Sequence, residues 1–387
     1  MKKIPFWKVK RELRRLGRGT LGAPAAAWEY LTLTKRYDAN AARQREVYAG
    51  AKPLGPEVAI YLIYPSQGLL GSHLDMLRHL NAHDISPILV SNLPLSPDTL
   101  ATLKPLCTRI IVRPNIGYDF GGYRDGVLSL SADLQKLDRL YLLNDSCWVI
   151  DAPLSWFNAV RNAGVDFCSA ASHEALIRPK ADNFREVDWR YSSDRPRFHY
   201  ASYALAMGSQ ILRDPKFLKF WQKIRLSQDK STTIRRGEFG LTQWVLRQKC
   251  YSHAEACPTA ILDREIAALD DATLDKVART LLSPYVPELL AKRDEILEIP
   301  VSTPQGRTDR IKIILAAVAA QGLSYALPLY TLKYRDFQFA KKSPVWLSQS
   351  GSDTMIEVLD SLPGPMGQQA AREARLLRPK MWPQPAI

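Results

Sequence analysis

The sequence is short of cysteine, and the cysteines it has are unpaired in pattern. Cys107, Cys147, Cys168, Cys250 and Cys257 are scattered through 387 residues with no CxxC spacing. That argues against a disulfide framework and a zinc site, and for a reduced compartment. The opening MKKIPFWKVKRELRRLGRG lacks the apolar core of a secretory signal, so export by that route is not expected and a cytoplasmic location is. No internal repeat is visible. From Ile313 to Leu332 no residue is charged, but Gln321, Gly322, Ser324 and Pro328 interrupt the run, where a spanning helix needs about 20 apolar positions. A helix packed on the main domain is expected there, with membrane-surface contact as the alternative.

What is present is an ordinary globular composition, 46% hydrophobic and 24% charged, with a formal net charge of +14. An excess of cations points to an anionic partner. Lys2, Lys3, Lys8, Lys10, Arg11, Arg14, Arg15 and Arg18 face only Glu12 near the start, with Phe6, Trp7, Val9, Leu13 and Leu16 interleaved. Such a segment suits an anionic inner-membrane surface, and a solvated terminus is the other reading. No nucleic-acid motif accompanies it, so nucleic acid is not an expected partner.

From Val58 the pattern changes. VAIYLIY, SPILVSN, TRIIVRPN and LYLL read as buried strands, and SHLDMLRHLNAH and PDTLATLKPLC between them as helices. The expected fold class is α/β, a doubly wound, mostly parallel sheet with helices on both faces, which binds ligands at the carboxyl ends of its strands. The expected organisation is a basic segment over 1–55, the sheet domain over 56–262 and a helical region over 263–387. DDATLDKVARTLLSP and PELLAKRDEILEI read as helices of that last region, and LLRPKMWPQPAI as a disordered tail. Asp214-Pro215 opens a scaffold helix with a cap and a proline.

Two motifs fall on the functional edge. RPNIGYDFGGYRDG follows the third strand, and Asn144-Asp145-Ser146 ends the fourth. Gly117, Gly121, Gly122 and Gly126 allow the backbone to approach a ligand or a helix closely. Asp119 and Asp125 flank a helix start, one expected to cap the helix and the other to face the cleft. Tyr118, Tyr123 and Trp148 suit stacking on a base or sugar, or a place in the core.

The pattern N-x-G-Y-D-F-G-G-Y-x-D-G followed by L-x-L-L-N-D-S resembles the rhamnan synthesis protein F family of bacterial polysaccharide assembly. More distantly it is similar to inverting family 2 glycosyltransferases of GT-A fold. The resemblance runs from VAIYLIYP through FHYASYALAMGS and GEFGLT to about Leu262. It implies a GT-A-like fold and transfer of a sugar, with rhamnose a candidate, from a nucleotide-diphosphate donor to a lipid-linked or polysaccharide acceptor. The enzyme would be peripheral on the cytoplasmic face of the inner membrane. The rival reading is a degenerate domain that binds sugar or nucleotide, or scaffolds, without turnover.

Carried over residue by residue, the resemblance makes Glu238 the general base, with Asp119 and His199 as further catalytic candidates. Asn115, Gly117, Tyr118, Asp119, Gly121, Gly122, Arg124, Asp125, Asn144, Asp145, Ser146 and Ser202 are the expected donor contacts. GT-A enzymes hold the diphosphate through a divalent metal, Mg2+ or Mn2+, at Asp-x-Asp. Here only Asp145 is a carboxylate, which makes it the expected metal ligand and weakens the implied metal dependence. Arg235 and Arg236 are candidates for the diphosphate, or for solvated surface.

Overall fold

The computed structural model describes residues 28–41 and 43–382; the basic segment before Trp28, and with it the expected membrane-binding residues from Lys2 to Arg18, lies outside them. Strands run in chain order as β1 (Glu46–Ala49), β2 (Glu57–Ile63), β3 (Ser86–Ser91), β4 (Arg109–Val112), β5 (Arg139–Asn144), β6 (Cys147–Val149), β7 (Phe167–Ser169), β8 (Ser172–His173), β9 (His199–Tyr200), β10 (Ala204–Gly208), β11 (His253–Glu255) and β12 (Phe339–Lys341). The main sheet has the order β1-β4-β3-β2-β5-β10-β7-β11. Strands β4, β3, β2 and β5 are mutually parallel, and β1 and β10 run against their neighbours. The α/β expectation of a mostly parallel sheet covered on both sides therefore holds.

The near-continuous apolar run of β2 is explained by burial on two faces. Ala59, Tyr61 and Ile63 enter one core with Met76, Leu77 and Leu80 of the helix Gly71–Ala82. Val58, Ile60 and Leu62 enter the other, with Phe120, Tyr123 and Val127 of the helix Tyr118–Ser129. Each valine, leucine, isoleucine, methionine or phenylalanine among them contributes roughly 1.5–3 kcal/mol when fully buried.

The uncharged stretch after Ile313 lies against the sheet. Helix Pro304–Gln321 places Ile313, Ile314 and Ala316 to Ala320 in the same core as Ala59 and Tyr61. Among the described residues, no helix is long and apolar enough to cross a membrane. A second attachment is strand pairing. β12 runs antiparallel to β6, with Phe339 opposite Val149, Ala340 opposite Trp148 and Lys341 opposite Cys147. The described part of the tail differs from the sequence reading, since Leu376 and Leu377 finish the helix Pro365–Leu377; residues 383–387 lie outside the described residues. Arg378 then pairs with Asp353 at 2.7 Å and lies over the Trp382 ring.

Candidate functional site

The glycine-rich loop turns at Gly117, which adopts φ +80° and precedes the helix Tyr118–Ser129. Tyr118 follows at φ +47°, so the chain enters the helix through two left-handed residues, a costly conformation for tyrosine. The result sets Asp119 in the first turn, facing the cleft at the carboxyl ends of the parallel strands. Gly121 and Gly122 serve packing rather than ligand contact. A Cβ on Gly122 would sit 2.4 Å from Leu62 of β2, and one on Gly121 would meet the Ile116 carbonyl.

Two expected donor contacts point elsewhere. Asp125 is fully buried and accepts from Arg113 Nε at 2.7 Å and Arg45 Nη1 at 3.1 Å, with Tyr37 as a third donor. Arg124 makes a two-pronged pair with Asp38 at 2.7 and 2.8 Å and donates to the Trp221 carbonyl. Both residues fasten the helix over 28–41 to the sheet. Neither aspartate caps a helix by its side chain, because the capping position is held by Gly117. Tyr123 and Trp148 are core residues: the Tyr123 hydroxyl donates to the Ser202 carbonyl at 2.8 Å, and Trp148 Nε1 to Glu373 at 2.8 Å.

At the end of β5, Asn144 Nδ2 donates to Asp119 Oδ2 at 3.1 Å, and Asn144 Oδ1 accepts from Ser146 Oγ at 2.6 Å. Burial pushes the Asp119 carboxyl up to about 6; the charges of Asp145 and Glu238 add to the rise, and Lys341 and Lys230 oppose it. Asp145 has the opposite balance. Burial would raise it, but His73, the charge of Lys342 and the Tyr64 amide together hold it below the usual carboxylate range.

Asp145 Oδ2 accepts from Tyr64 N at 2.7 Å and faces His73 Nε2 at 3.3 Å. His73 Nδ1 accepts from Leu70 N at 3.1 Å, which leaves the ring proton on Nε2. A divalent cation of the Mg2+ or Mn2+ kind takes about six oxygen ligands. Here one oxygen of a single carboxylate is already bonded, a buried ammonium acts on the same group, and among the described residues no three acidic, imidazole or thiol side chains are grouped to hold a metal. This donor set does not fit a resident cation.

The expected base, Glu238, lies within a helical run. It lies in a π-helical turn, Arg235–Phe239, that interrupts one helical run between Lys230–Ile234 and Gly240–Arg247. Such bulges turn one side chain out of the regular ladder and are frequent at functional sites. Glu238 Oε1 accepts from Ser202 N at 2.8 Å, and Oε2 lies 3.8 Å from His199 Nε2. His199 Nδ1 contacts the Arg197 carbonyl at 2.8 Å. The chain through His199 and Ser202 forms two strands, β9 and β10, separated by a turn that leaves the Ser202 amide to Glu238. Arg236 donates to the carbonyls of Arg225 and Leu226, away from the cleft, and Arg235 is exposed.

These groups stand between two adjoining cavities. An outer chamber of about 380 Å³ is walled by Tyr64, Asn92, Asn115, Tyr118 and Phe120, at the ends of β2, β3 and β4. An inner chamber of about 470 Å³ is walled by Asn144, Ser146, His173, His199, Tyr203, Tyr285, Tyr325 and Lys341. Asp119, Ser202, Lys230, Ile234 and Glu238 line both. In the outer chamber Asn115 Oδ1 is buried with no hydrogen-bond donor among the described residues, while Tyr118 donates to the Gln228 carbonyl. In the inner one, burial first and then the neighbouring His199 keep His173 well below its ordinary range, hence neutral.

Comparison with known proteins bears on this site. The model of the rhamnan synthesis protein F family matches residues 87–297, more than half of the chain. The chain belongs to the rhamnan synthesis protein F family. That match takes in the glycine loop, Asn144 to Ser146, His199 to Ser202 and Glu238, and leaves Tyr325 and Lys341 beyond its end. A protein of Sinorhizobium fredii described as uncharacterized protein y4gN is 32% identical over 238 residues, which cover 61% of this chain and 57% of that protein. The match thus spans little more than half the length of that relative. Among solved structures, the mannosyltransferase PcManGT from Pyrobaculum calidifontis, in complex with GDP-Man and Mn2+, aligns over 93% of this chain and 98% of that one. Its identity is 12% and its TM-score 0.29, too low for the likeness to carry an argument.

Proposed function

We propose that this member of the rhamnan synthesis protein F family is a glycosyltransferase of GT-A type. In this reading it moves a hexose, rhamnose being the candidate, from a nucleoside-diphosphate donor to a hydroxyl of a lipid-linked or polysaccharide acceptor. The observation that carries the proposal is the position of Glu238 and Asp119 on the wall shared by two chambers. The outer chamber, with its unsatisfied Asn115 oxygen, takes the nucleoside. The inner chamber, rich in tyrosine, takes the acceptor, since aromatic faces suit sugar rings.

Glu238 is held by the Ser202 amide and lies beside His199, in reach of a hydroxyl entering from the inner side. It accepts the acceptor's proton as the new bond to the anomeric carbon forms and the bond to the diphosphate oxygen breaks, with inversion. Asp119 and Asn144, bonded to each other, bind the transferred sugar's hydroxyls. The leaving group is the nucleoside diphosphate.

A basic groove of about 510 Å³ outside the cleft supports the membrane partner. Lys216, Lys219 and Lys223 line it with Arg225 and Arg236, which sit over the Tyr30 ring at 3.9 and 4.9 Å. Cations with an aromatic floor suit an anionic lipid surface. The test of function is transfer itself. Purified protein is incubated with a panel of nucleotide sugars and membrane acceptors beside Glu238→Gln. Donor-specific, acceptor-dependent release of nucleoside diphosphate that the variant loses is expected. Normal polysaccharide in cells whose only copy is Glu238→Gln would sink the catalytic reading.

A further inference from the structure

Lys341 is buried, only 7% exposed, yet no carboxylate of the described residues lies within ion-pair distance of it. Its ammonium sits 3.7 Å from the centre of the Tyr203 ring and 5.3 Å from that of Tyr325. Ring faces offset part of the desolvation of a cation and leave its own hydrogen-bond donors to be met. The side chain lines the inner chamber together with Asp119, Asn144 and Ser146. Strand pairing explains why. Lys341 stands opposite Cys147, next to the residue that closes Asn144-Asp145-Ser146. A second lysine, Lys230, begins a helix and lines both chambers. A buried lysine without a counter-ion, aimed into a cavity beside the strand end, is built to receive an anion.

We propose that Lys341, with Lys230, binds the diphosphate of the nucleotide donor and provides the positive charge that the single-carboxylate strand end does not gather from a divalent cation. The inference rests on the donor reading of the outer chamber. It follows from position: a nucleoside in the outer chamber and a sugar held by Asp119 and Asn144 put the diphosphate at the shared wall, which Lys230 lines on both sides and Lys341 faces from the inner chamber. Lys341 thereby stabilises the leaving group as the bond to the sugar breaks.

The experiment is calorimetric titration of the full chain with uridine, thymidine and guanosine mono- and diphosphates, in excess EDTA and in Mn2+, on wild type, Lys341→Gln and Lys341→Arg. Wild type is expected to prefer the diphosphate over the monophosphate of one nucleoside about tenfold to a hundredfold with the chelator present. Lys341→Gln should lose that preference while still binding the nucleoside monophosphate, and Lys341→Arg should keep most of it. A wild-type preference that vanishes in EDTA and returns with Mn2+ overturns the inference and leaves the donor reading standing. So does a preference intact in a folded Lys341→Gln, or Lys341-dependent binding of a polyprenyl diphosphate alone, which would assign the anion to the acceptor. No nucleotide binding under any condition overturns the donor reading itself. If Lys341→Gln does not fold, the comparison of wild type in EDTA and in Mn2+ still decides.

Discussion

The two chambers of the cleft are made by different means. The outer one is a product of the sheet: its walls are the residues just past the ends of β2, β3 and β4, brought together because parallel strands end on one edge. The inner one is assembled from segments far apart in the chain, with His173, His199, Tyr285 and Tyr325 converging on Lys341. A cavity that comes with the fold and one added to it thus share a wall, and the shared wall holds the carboxylates Asp119 and Glu238. Under the proposed function, the fold-derived chamber takes what nucleotide-sugar donors have in common, the nucleotide. The added chamber takes what differs between enzymes, the acceptor.

The largest effect is expected at the shared wall. Glu238→Gln should lower transfer by about 10²–10⁴-fold while nucleotide affinity changes little, read by product formation beside calorimetry. An equal loss of binding would mean that the glutamate is structural.

Next comes the frame behind the outer chamber. Asp125→Asn leaves the Arg113 guanidinium buried beside a neutral partner, and breaking such a pair typically costs about 3–5 kcal/mol. Chemical denaturation should show that loss, and nucleotide binding by the remaining folded protein should be unchanged. Altered nucleotide affinity would return Asp125 to the donor site where its sequence motif had put it.

A matched pair of variants sharpens the division of labour. Asn115→Ala should weaken nucleotide binding by about tenfold, the scale of one hydrogen bond to a buried group. Tyr285→Ala should raise the acceptor KM and spare nucleotide affinity. Were both to act on the same substrate, the two chambers would be one site.

An effect of similar size is expected on pH dependence. Because burial raises the Asp119 pKa to about 6 from an ordinary 3.8, the folded state holds the proton more tightly than the unfolded one. Its contribution therefore falls as pH rises from about 4 to about 6. Asp119→Asn removes the term, so the difference in stability between variant and wild type should grow by about 1–2 kcal/mol over that window. A constant difference would mean that Asp119 titrates normally.

The outer chamber and the sheet were readable from sequence because their signals are local: apolar runs of strand length, and a loop whose glycines sit next to the residues they position. The roles of Asp119 and Asp125 were not separable by that route. Six residues of helix rotate a side chain by about 240°, so the two had to leave on different faces, and which face met the cleft depended on how the helix lay on β2. Glu238 was singled out by its motif, but its setting was not readable, since a π turn depends on packing such as that of Gly237 against Phe120. Lys341 left one faint trace, a lysine pair closing FQFAKK. Its meaning required knowing that β12 would pair with a strand nearly 200 positions earlier.

That two-stranded ribbon carries a consequence for how this chain can change. Along the pleat successive side chains alternate sides. Lys341 looks into the cleft, while Lys342 turns to Ser72 Oγ at 3.0 Å and to Glu373 in the buried network behind it. A slip of one residue would exchange the two lysines, pairing the cleft with the wrong one and leaving Glu373 without its cation. Insertions and deletions between Tyr334 and Phe339 are therefore tolerable only where the ribbon's register survives them. The inner chamber can be redrawn by substitution far more freely than by changes in length.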